Sequence, residues 1–265
     1  MSNLPLLQEF SVIAGPCQLE SSELNLKVGI ELAKISEDLE MPVVFKASFD
    51  KANRSKLDSS RGPGLKEGLS LLSEVKRETG LSILTDIHEP YQAREVAEVV
   101  DIIQIPAFLV RQTDLLLAAG ETGKPVNIKK SQWMSVQELK GALGKVRGTN
   151  NPQVIFTERG TFFGYGDLVV DMRNFQRIKD ELACPVYFDG THSVQKPGQH
   201  VGSTGGQPAF TRSLVLAAVG AGCGGLFLEV HPNPANAPSD GMSMMPLNEL
   251  RSLLEKVLEL RDVLP

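Results

Sequence analysis

Residues 46–55 concentrate groups that bind anions. They read KASFDKANRS and directly follow the apolar run VVF. Two lysines, an arginine, two serines and an asparagine in so short a stretch could hold a phosphate and a carboxylate. A solvated basic turn would have the same composition, because runs of charge are commonly surface. The rest of the chain is needed to distinguish an anion-binding site from a solvated turn.

Four basic residues follow apolar runs in different parts of the chain. Holding several like charges together costs energy in the empty protein, so such a group is expected where the ligand carries several negative charges. The alternative is that these cations pair with acids at strand ends, such as Asp86 and Glu158. The four are Lys46, Lys51, Lys129 and Arg159.

A second group combines one thiol, one imidazole and two carboxylates. Such a mixed set suits a divalent ion such as Zn, Fe, Mn or Co, and an open position on the ion could polarise a water or a substrate oxygen. Alternatively, Cys17 is a small buried residue in a Gly-Pro-Cys turn and His192 binds substrate directly. The candidate ligands are Cys17, His192, Glu229 and Asp240.

Eight β-rich runs alternate with amphipathic helical segments. Parallel βα units in this number and length predict one (β/α)8 barrel, a single catalytic domain over residues 1–265. An open doubly wound sheet is the alternative, but no Gly-x-Gly-x-x-Gly follows the first strand. The predicted strands are 11–14, 43–46, 82–86, 102–105, 126–129, 154–157, 186–189 and 226–229. The predicted helices are 22–40, 64–79, 89–100, 113–122, 136–146, 175–182, 210–221 and 247–263.

The barrel prediction places the site at the carboxyl ends of the strands. Nearly every predicted strand is followed there by a polar or charged residue, so we expect a polar, strongly cationic barrel mouth. His88 and His231 are expected near it in supporting roles. The glycine-rich segment 198–206 follows the seventh strand and is expected to form a phosphate loop or a lid.

Composition narrows the function classes. The net charge of -5 argues against a nucleic-acid-binding surface. The start of the chain has no secretory pattern, and no apolar run approaches the ~20 residues that span a bilayer. The three cysteines, Cys17, Cys184 and Cys223, are widely spaced, which indicates reduced thiols. We therefore expect a cytoplasmic protein without a membrane or nucleic-acid partner.

Taken together, seven motifs resemble the 3-deoxy-D-manno-octulosonate 8-phosphate synthase family, in order and over nearly the whole chain. The related 3-deoxy-D-arabino-heptulosonate 7-phosphate synthases, which use erythrose 4-phosphate, carry Lys-Pro-Arg-Thr in place of Lys-Ala-Asn-Arg-Ser and rank second. The motifs are FKASFDKANRS at 45–55, TDIHE at 85–89, QIPAFL at 104–109 with RQTD at 111–114, NIKK at 127–130, ERG at 158–160 with FGY at 163–165, DGTHS at 189–193 and EVHP at 229–232.

The resemblance implies condensation of phosphoenolpyruvate with D-arabinose 5-phosphate and water, for the lipopolysaccharide inner core. It assigns catalytic roles to Lys46, Lys51, Asp86, Lys129, His192 and Asp240. It assigns phosphoenolpyruvate to Lys46, Ser48, Lys51, Lys129, Gln132, Arg159 and His192. It assigns the sugar phosphate to Asn53, Arg54 and Ser55, with Asp86, Gln104 and Phe108 near the sugar. A homotetramer is implied, in which Arg111 reaches a neighbouring subunit's sugar phosphate.

The family divides into metal-dependent and metal-independent groups. Metal-independent members have Asn at the position of Cys17, so the resemblance implies the metal-dependent group, with His192, Glu229 and Asp240 completing the ligands. In contrast, Asp240-Gly241 resembles the metal-independent group, and residues 242–245 lack the polar residues of metal users.

Two functions from other classes stay open. A sugar-phosphate-binding protein without catalysis would need the cations but not the four ligands. A class I aldolase would form a Schiff base on a lysine, for example Lys129, although such a lysine is expected in an apolar pocket or beside one cation.

Overall fold

A closed barrel of parallel strands organises the protein. The computed structural model describes residues 9–54, 57–164, 166–200 and 203–264, which form thirteen strands and eight α-helices. The strands are β1 (Ser11–Gly15), β2 (Val43–Lys46), β3 (Ser82–Asp86), β4 (Ile102–Ile105), β5 (Val126–Lys129), β6 (Val154–Glu158), β7 (Thr161–Gly164), β8 (Asp167–Val169), β9 (Val186–Asp189), β10 (Gln195–His200), β11 (Ser203–Gly206), β12 (Gly225–His231) and β13 (Met245–Pro246). The helices are α1 (Ser22–Asp38), α2 (Leu65–Thr79), α3 (Gln92–Val99), α4 (Thr113–Glu121), α5 (Val136–Arg147), α6 (Arg173–Leu182), α7 (Thr211–Gly220) and α8 (Leu247–Asp262).

The barrel strands are β1 to β6, β9 and β12, each hydrogen-bonded to the next in that order. β12 also pairs with β1, with Ser11 opposite Gly225 and Gly15 opposite Glu229, which closes the sheet. All of these pairings are parallel, and a helix follows each barrel strand. The (β/α)8 prediction is confirmed, with predicted element bounds within a few residues of the observed ones.

Successive side chains on the barrel strands point alternately into two apolar layers. One residue of each of seven strands fills the barrel interior, while their neighbours in sequence pack against the surrounding helices. Two residues beyond this interior layer, the same inward face carries polar groups at the barrel mouth. The interior residues are Ile13, Val44, Leu84, Ile102, Ile155, Tyr187 and Phe227. The polar groups at this spacing are Lys46, Asp86, Gln104, Asp189 and Glu229. Lys129 at the end of β5 and Arg159, four residues after Ile155, join them at the mouth.

Local sequence signals fix the helix ends. Ser135 and Glu138 form a capping box at the start of α5, and their hydrogen bonds lower the pKa of Glu138. Gly80 ends α2 in the left-handed conformation, after Lys76 and Arg77 in the last turn. In the described parts of the chain, none of the helices has the length and apolarity needed to cross a bilayer.

Two hairpins near the mouth were not predicted. β7 pairs with β8, and β10 pairs with β11, both antiparallel. Residues 198–200 and 203–206 of the glycine-rich segment therefore belong to a hairpin, and residues 201 and 202 lie outside the described part. Gly15 allows β1 to leave the barrel beside β2, since a Cβ there would lie 2.1 Å from the backbone oxygen of Lys46.

Candidate active site

A cavity of about 1090 Å³ opens at the carboxyl ends of the barrel strands. Twelve of the predicted site residues line this cavity. The lining contains five carboxylates and five lysine or arginine side chains, so the opposite charges are equal in number. The expectation of a strongly cationic mouth is therefore wrong for the protein alone, because acids on neighbouring strand ends balance the cations. The predicted residues in the lining are Lys46, Lys51, Asn53, Arg54, Asp86, Gln104, Phe108, Lys129, Arg159, His192, Glu229 and Asp240.

Two of the four cations are paired with buried carboxylates. The Lys46 ammonium lies 2.6 Å from Glu229 Oε1, and the Lys129 ammonium lies 2.5 Å from Asp189 Oδ2. Burial lowers the pKa of Lys129 to about 8, although Asp189 opposes the shift. Burial alone would raise the pKa of Glu229, but Lys46 and His192 bring it to about 2. The cations do pair with strand-end acids, although not with Asp86 or Glu158.

Glu158 instead pairs with Lys130, on the outward face of the barrel wall. Lys130 follows Lys129 directly, so strand alternation turns its side chain away from the cavity. Its ammonium lies 3.3 Å from Glu158 Oε1 and donates to the backbone oxygens of Ser131 and Gly160. Lys130 is therefore part of the packing around β5 and β6.

Arg159 and Lys51 keep donor capacity for a ligand. The Arg159 Nη2 atom donates to Gln195 Oε1 at 2.6 Å, while the buried Nη1 atom has no hydrogen-bond partner among the described atoms. The Lys51 ammonium donates to Ser48 Oγ at 3.0 Å and faces the cavity. These donors are available to a phosphate or carboxylate group.

Three of the predicted metal ligands converge. One ligand atom each from Cys17, Glu229 and Asp240 lies within 4.8 Å of the others, and Cys17 Sγ is 3.1 Å from Asp240 Oδ2. Glu229 Oε2 is buried and lacks a hydrogen-bond partner among the described atoms. Burial, together with Glu229, raises the pKa of the Cys17 thiol. A buried carboxylate oxygen without a hydrogen-bond donor, beside a thiol and a second carboxylate, fits a cation-binding site better than a purely structural cluster.

His192 completes this arrangement. Its Nδ1 atom lies 2.8 Å from Asp189 Oδ2, which turns Nε2 toward Glu229 Oε2 at 3.5 Å and Asp240 Oδ2 at 4.0 Å. Burial alone would raise the pKa of Asp189, but His192 and Lys129 hold it below its usual range. A carboxylate that orients a histidine in this way is the usual outer partner of a metal-ligating imidazole.

The opposite wall offers hydrogen-bond acceptors. Asp86 and Gln104 are opposite each other on β3 and β4, and Asp86 Oδ1 and Gln104 Oε1 are buried without partners among the described atoms. His88, which was expected near the site, places its Nε2 atom 3.1 Å from Asp86 Oδ2. Burial alone would raise the pKa of Asp86, but His88 holds it below its usual range. This wall therefore suits hydroxyl donors.

The loop after β2 forms the entrance. Arg54 Nη1 donates to Ser239 Oγ at 2.8 Å, and Arg54 Nη2 donates to Gln18 Oε1 at 3.1 Å. Asn53 is exposed at the edge of the cavity. The predicted Ser55 lies outside the described residues. On the other side, Phe108 is 53% exposed and stands 5.7 Å from Trp133, measured between ring centroids.

Three of the predicted binding residues that the structure describes are not in the cavity lining. Ser48 is buried behind Lys51. Gln132 is buried, and its Oε1 atom has no partner among the described atoms. Arg111 is exposed before α4 and accepts a hydrogen bond from Lys145 at its backbone oxygen, a position in keeping with a contact outside this subunit.

Sequence reasoning gave no role to Asp189 or Gln195. Asp189 orients both Lys129 and His192, and its spacing of three residues before the histidine was the available signal. Gln195 contacts Arg159 and Asp240, and only the fold brings these two residues together. His231, expected near the mouth, pairs with Glu20 at 3.0 Å.

The comparisons with known proteins agree with one another. The sequence model of the DAHP synthetase I family matches residues 8–264. A protein of Syntrophobacter fumaroxidans named 2-dehydro-3-deoxyphosphooctonate aldolase is 48% identical over 96% of this chain and 88% of its own length. A protein of the same name from Syntrophotalea carbinolica is 50% identical over 94% of this chain and 89% of its own length. Another from Brucella anthropi is 49% identical over 94% of this chain and 90% of its own length.

Proposed function

The chain belongs to the DAHP synthetase I family, and from this membership we infer that it is a 3-deoxy-D-manno-octulosonate 8-phosphate synthase, the activity for which its curated relatives are named. It condenses phosphoenolpyruvate with D-arabinose 5-phosphate and water and releases inorganic phosphate. The heptulosonate 7-phosphate reaction is supported only by the family model. We place the reaction in the cytoplasm and treat the chain as one catalytic domain.

This proposal is carried by buried atoms in the cavity lining that have no hydrogen-bond partner among the residues the structure describes. Arg159 Nη1 is a donor, whereas Asp86 Oδ1, Gln104 Oε1 and Glu229 Oε2 are acceptors. A phosphate or carboxylate would satisfy the donor, sugar hydroxyls would satisfy Asp86 and Gln104, and a cation would satisfy Glu229. Phosphoenolpyruvate, a pentose phosphate and a divalent ion together supply these groups.

The four cations that line the cavity hold phosphoenolpyruvate. Lys46, Lys51, Lys129 and Arg159 come from four different loops and strand ends and face one space, so they can bind both the phosphate and the carboxylate. Asn53 and Arg54 at the entrance hold the sugar phosphate, and Asp86 with Gln104 bind its hydroxyl groups. Ser55, Ser48, Gln132, Phe108 and Arg111 keep the roles that the resemblance implies.

This placement aligns the two reacting carbons. Carbon 3 of phosphoenolpyruvate attacks the aldehyde carbon of arabinose 5-phosphate, and water adds at carbon 2, where positive charge develops. Loss of phosphate from carbon 2 then leaves the keto group. Holding the donor and acceptor within attack distance can supply as much as ~7–11 kcal/mol of the barrier.

We further propose that Cys17, His192, Glu229 and Asp240 hold a divalent metal ion, for which Zn, Fe, Mn and Co are candidates. When bound, such an ion supplies Lewis acidity toward the aldehyde oxygen or the water. It would also give the balanced cavity an excess of positive charge, as two anionic substrates require.

A homotetramer is part of the same proposal. Phe108, Trp133, Phe162 and Phe163 are large apolar side chains exposed on one subunit, between 43% and 69% of their surface. Exposed aromatic side chains of this kind are enriched in subunit interfaces. Arg111 would then reach a neighbouring subunit's sugar phosphate.

The decisive experiment measures phosphate release from phosphoenolpyruvate with arabinose 5-phosphate or erythrose 4-phosphate as acceptor, with and without a chelator. We expect release with arabinose 5-phosphate and much less with erythrose 4-phosphate. Preference for erythrose 4-phosphate would support the heptulosonate reaction, and binding of both ligands without release would support a non-catalytic protein. Borohydride trapping of substrate on the enzyme would support the Schiff-base alternative at Lys129.

A further inference from the structure

One buried amide joins the anion-binding side of the cavity to the metal-binding side. Gln195 is the first residue of β10 and is 8% exposed. Its Oε1 atom accepts from Arg159 Nη2 at 2.6 Å, and its Nε2 atom donates to Asp240 Oδ1 at 2.9 Å. Arg159 and Asp240 are therefore connected through a single side chain.

The chemistry of the two neighbours fixes the orientation of this amide. A guanidinium can only donate and an ionised carboxylate can only accept, so the amide oxygen must face Arg159 and the amide nitrogen must face Asp240. Glutamate at this position would retain an acceptor for Arg159 but no donor for Asp240. Methionine has nearly the same length and would offer neither.

The free ends of the connected groups point to different ligands. Arg159 Nη1 is buried and unpartnered among the described atoms, and so is available to an anion. Asp240 Oδ2 faces the candidate metal ligands instead, at 3.1 Å from Cys17 Sγ and 4.0 Å from His192 Nε2. Arg159 thus keeps Nη1 for an anion, while Asp240 turns Oδ2 toward the candidate metal ligands, where it also accepts from Ser239 Oγ at 3.2 Å.

The backbone around Asp240 needs such support. Asp240 has a φ of 51°, in the left-handed region that favours glycine. Gln195 pairs with Gly206 in the β10–β11 hairpin, and a Cβ on Gly206 would lie 2.7 Å from the backbone oxygen of Met242. The hairpin therefore packs directly against the loop that carries Asp240.

We propose that Gln195 is a positioning residue that couples anion binding at Arg159 to metal binding at Asp240. An anion that fixes Arg159 also fixes the amide, which holds Asp240 Oδ1 and directs Oδ2 toward the metal. Because such coupling is reciprocal, the metal tightens anion binding by the same factor. The identities of the anion and the metal rest on the proposed function.

The test measures the dissociation constant of Mn²⁺ by competition with a fluorescent chelator, with and without saturating phosphoenolpyruvate and always without sugar phosphate. In the wild-type chain we expect phosphoenolpyruvate to tighten Mn²⁺ binding by at least about fivefold, the lower end of typical coupling. In Gln195→Met and Gln195→Glu the ratio should fall below about twofold, because both lack the donor to Asp240.

Gln176 provides a matched control, since its Nε2 atom donates to Asp180 Oδ1 at 2.7 Å on the exposed side of α6. Gln176→Glu should keep the wild-type ratio.

A wild-type ratio near one, or a wild-type ratio retained in either Gln195 variant, would overturn the proposal. A structural role alone would change thermal stability or both affinities without changing their ratio. Because no turnover is involved, a chain that releases no phosphate could still show the coupling, so the two proposals fail separately.

Discussion

The floor and the entrance of the cavity hold their charges in different ways. The cavity floor, which consists of Lys46, Lys129, Arg159, Asp189 and Glu229, is at most 5% exposed, and its ion pairs join side chains on barrel strands. The cavity entrance, which consists of Asn53, Arg54, Ser59 and Ser60, lies on one long loop and is exposed or half-buried. Charges on strands in a dry environment are preorganised, whereas charges on a wet loop can adapt to a ligand. The floor therefore suits the chemical step and the entrance suits capture of the sugar phosphate.

The largest effect is expected at the floor, from Lys46→Met. Removing the cation leaves Glu229 buried without its partner, which costs about 3–5 kcal/mol of stability. Loss of a preorganised charge should also lower kcat by about 10²–10³. Urea unfolding and phosphate release measure the two effects.

The control for this substitution is Lys140→Met. Lys140 forms a pair with Glu181 at 3.5 Å in which both side chains are over two-fifths exposed, so its loss should cost at most about 1 kcal/mol. If Lys46→Met proves as mild as Lys140→Met, the floor is not preorganised by its ion pairs.

Metal removal tests Glu229 of the floor together with the neighbouring candidate ligand Cys17. A bound ion is worth several kcal/mol of charge stabilisation, so chelation should lower activity by about 10² or more, with recovery on adding Mn²⁺ or Zn²⁺. Cys17→Asn should tolerate chelation better than Cys17→Ala, because the resemblance places Asn here in metal-independent enzymes. Full activity of metal-free protein would remove the metal from the proposal.

The sequence predicted the floor far better than the entrance. Two-residue alternation on short strands is a local signal, so the inward direction of Lys46 and Lys129 follows once the strands are recognised. The pairing of Lys129 with Asp189 depends on which strands become neighbours in the closed barrel, and the expected acids were the wrong ones. The hairpins and the left-handed Asp240 depend on packing between loops, for which the sequence offered only scattered glycines.

Substitution at the entrance should weaken binding of the sugar phosphate. Arg54→Ala removes charged hydrogen bonds worth about 1.5–3 kcal/mol, so the KM for arabinose 5-phosphate should rise about 10- to 100-fold with a smaller change in kcat. Arg61→Ala is the control on the same loop, because the Arg61 side chain, which pairs with Asp50, is 59% exposed and does not line the cavity. An equal loss in both variants would mean that the loop acts only through its overall charge.

The smallest expected effect is a change of activity with pH, which distinguishes the floor from the entrance. Burial lowers the pKa of Lys129 from 10.5 to about 8, so its ammonium loses charge as pH rises through that value. If the charged form binds phosphoenolpyruvate, kcat/KM should fall above pH 8, to about a tenth at pH 9. Lys129→Arg should keep its charge and move the fall to higher pH.

Stability should change in the opposite direction over the same pH range. Between about pH 8 and 10.5 the unfolded chain binds more protons at this lysine than the folded chain does, so stability should rise with pH. Lys129→Met lacks the group and should lack this rise, which urea midpoints at pH 7.5, 9 and 10 would measure. The wild-type chain could lose activity above pH 8 and gain stability relative to Lys129→Met. This result would show that the charged form of Lys129 serves ligand binding and lowers the stability of the fold. A flat activity profile with the same gain in stability would leave Lys129 as a buried partner of Asp189 without a role in binding.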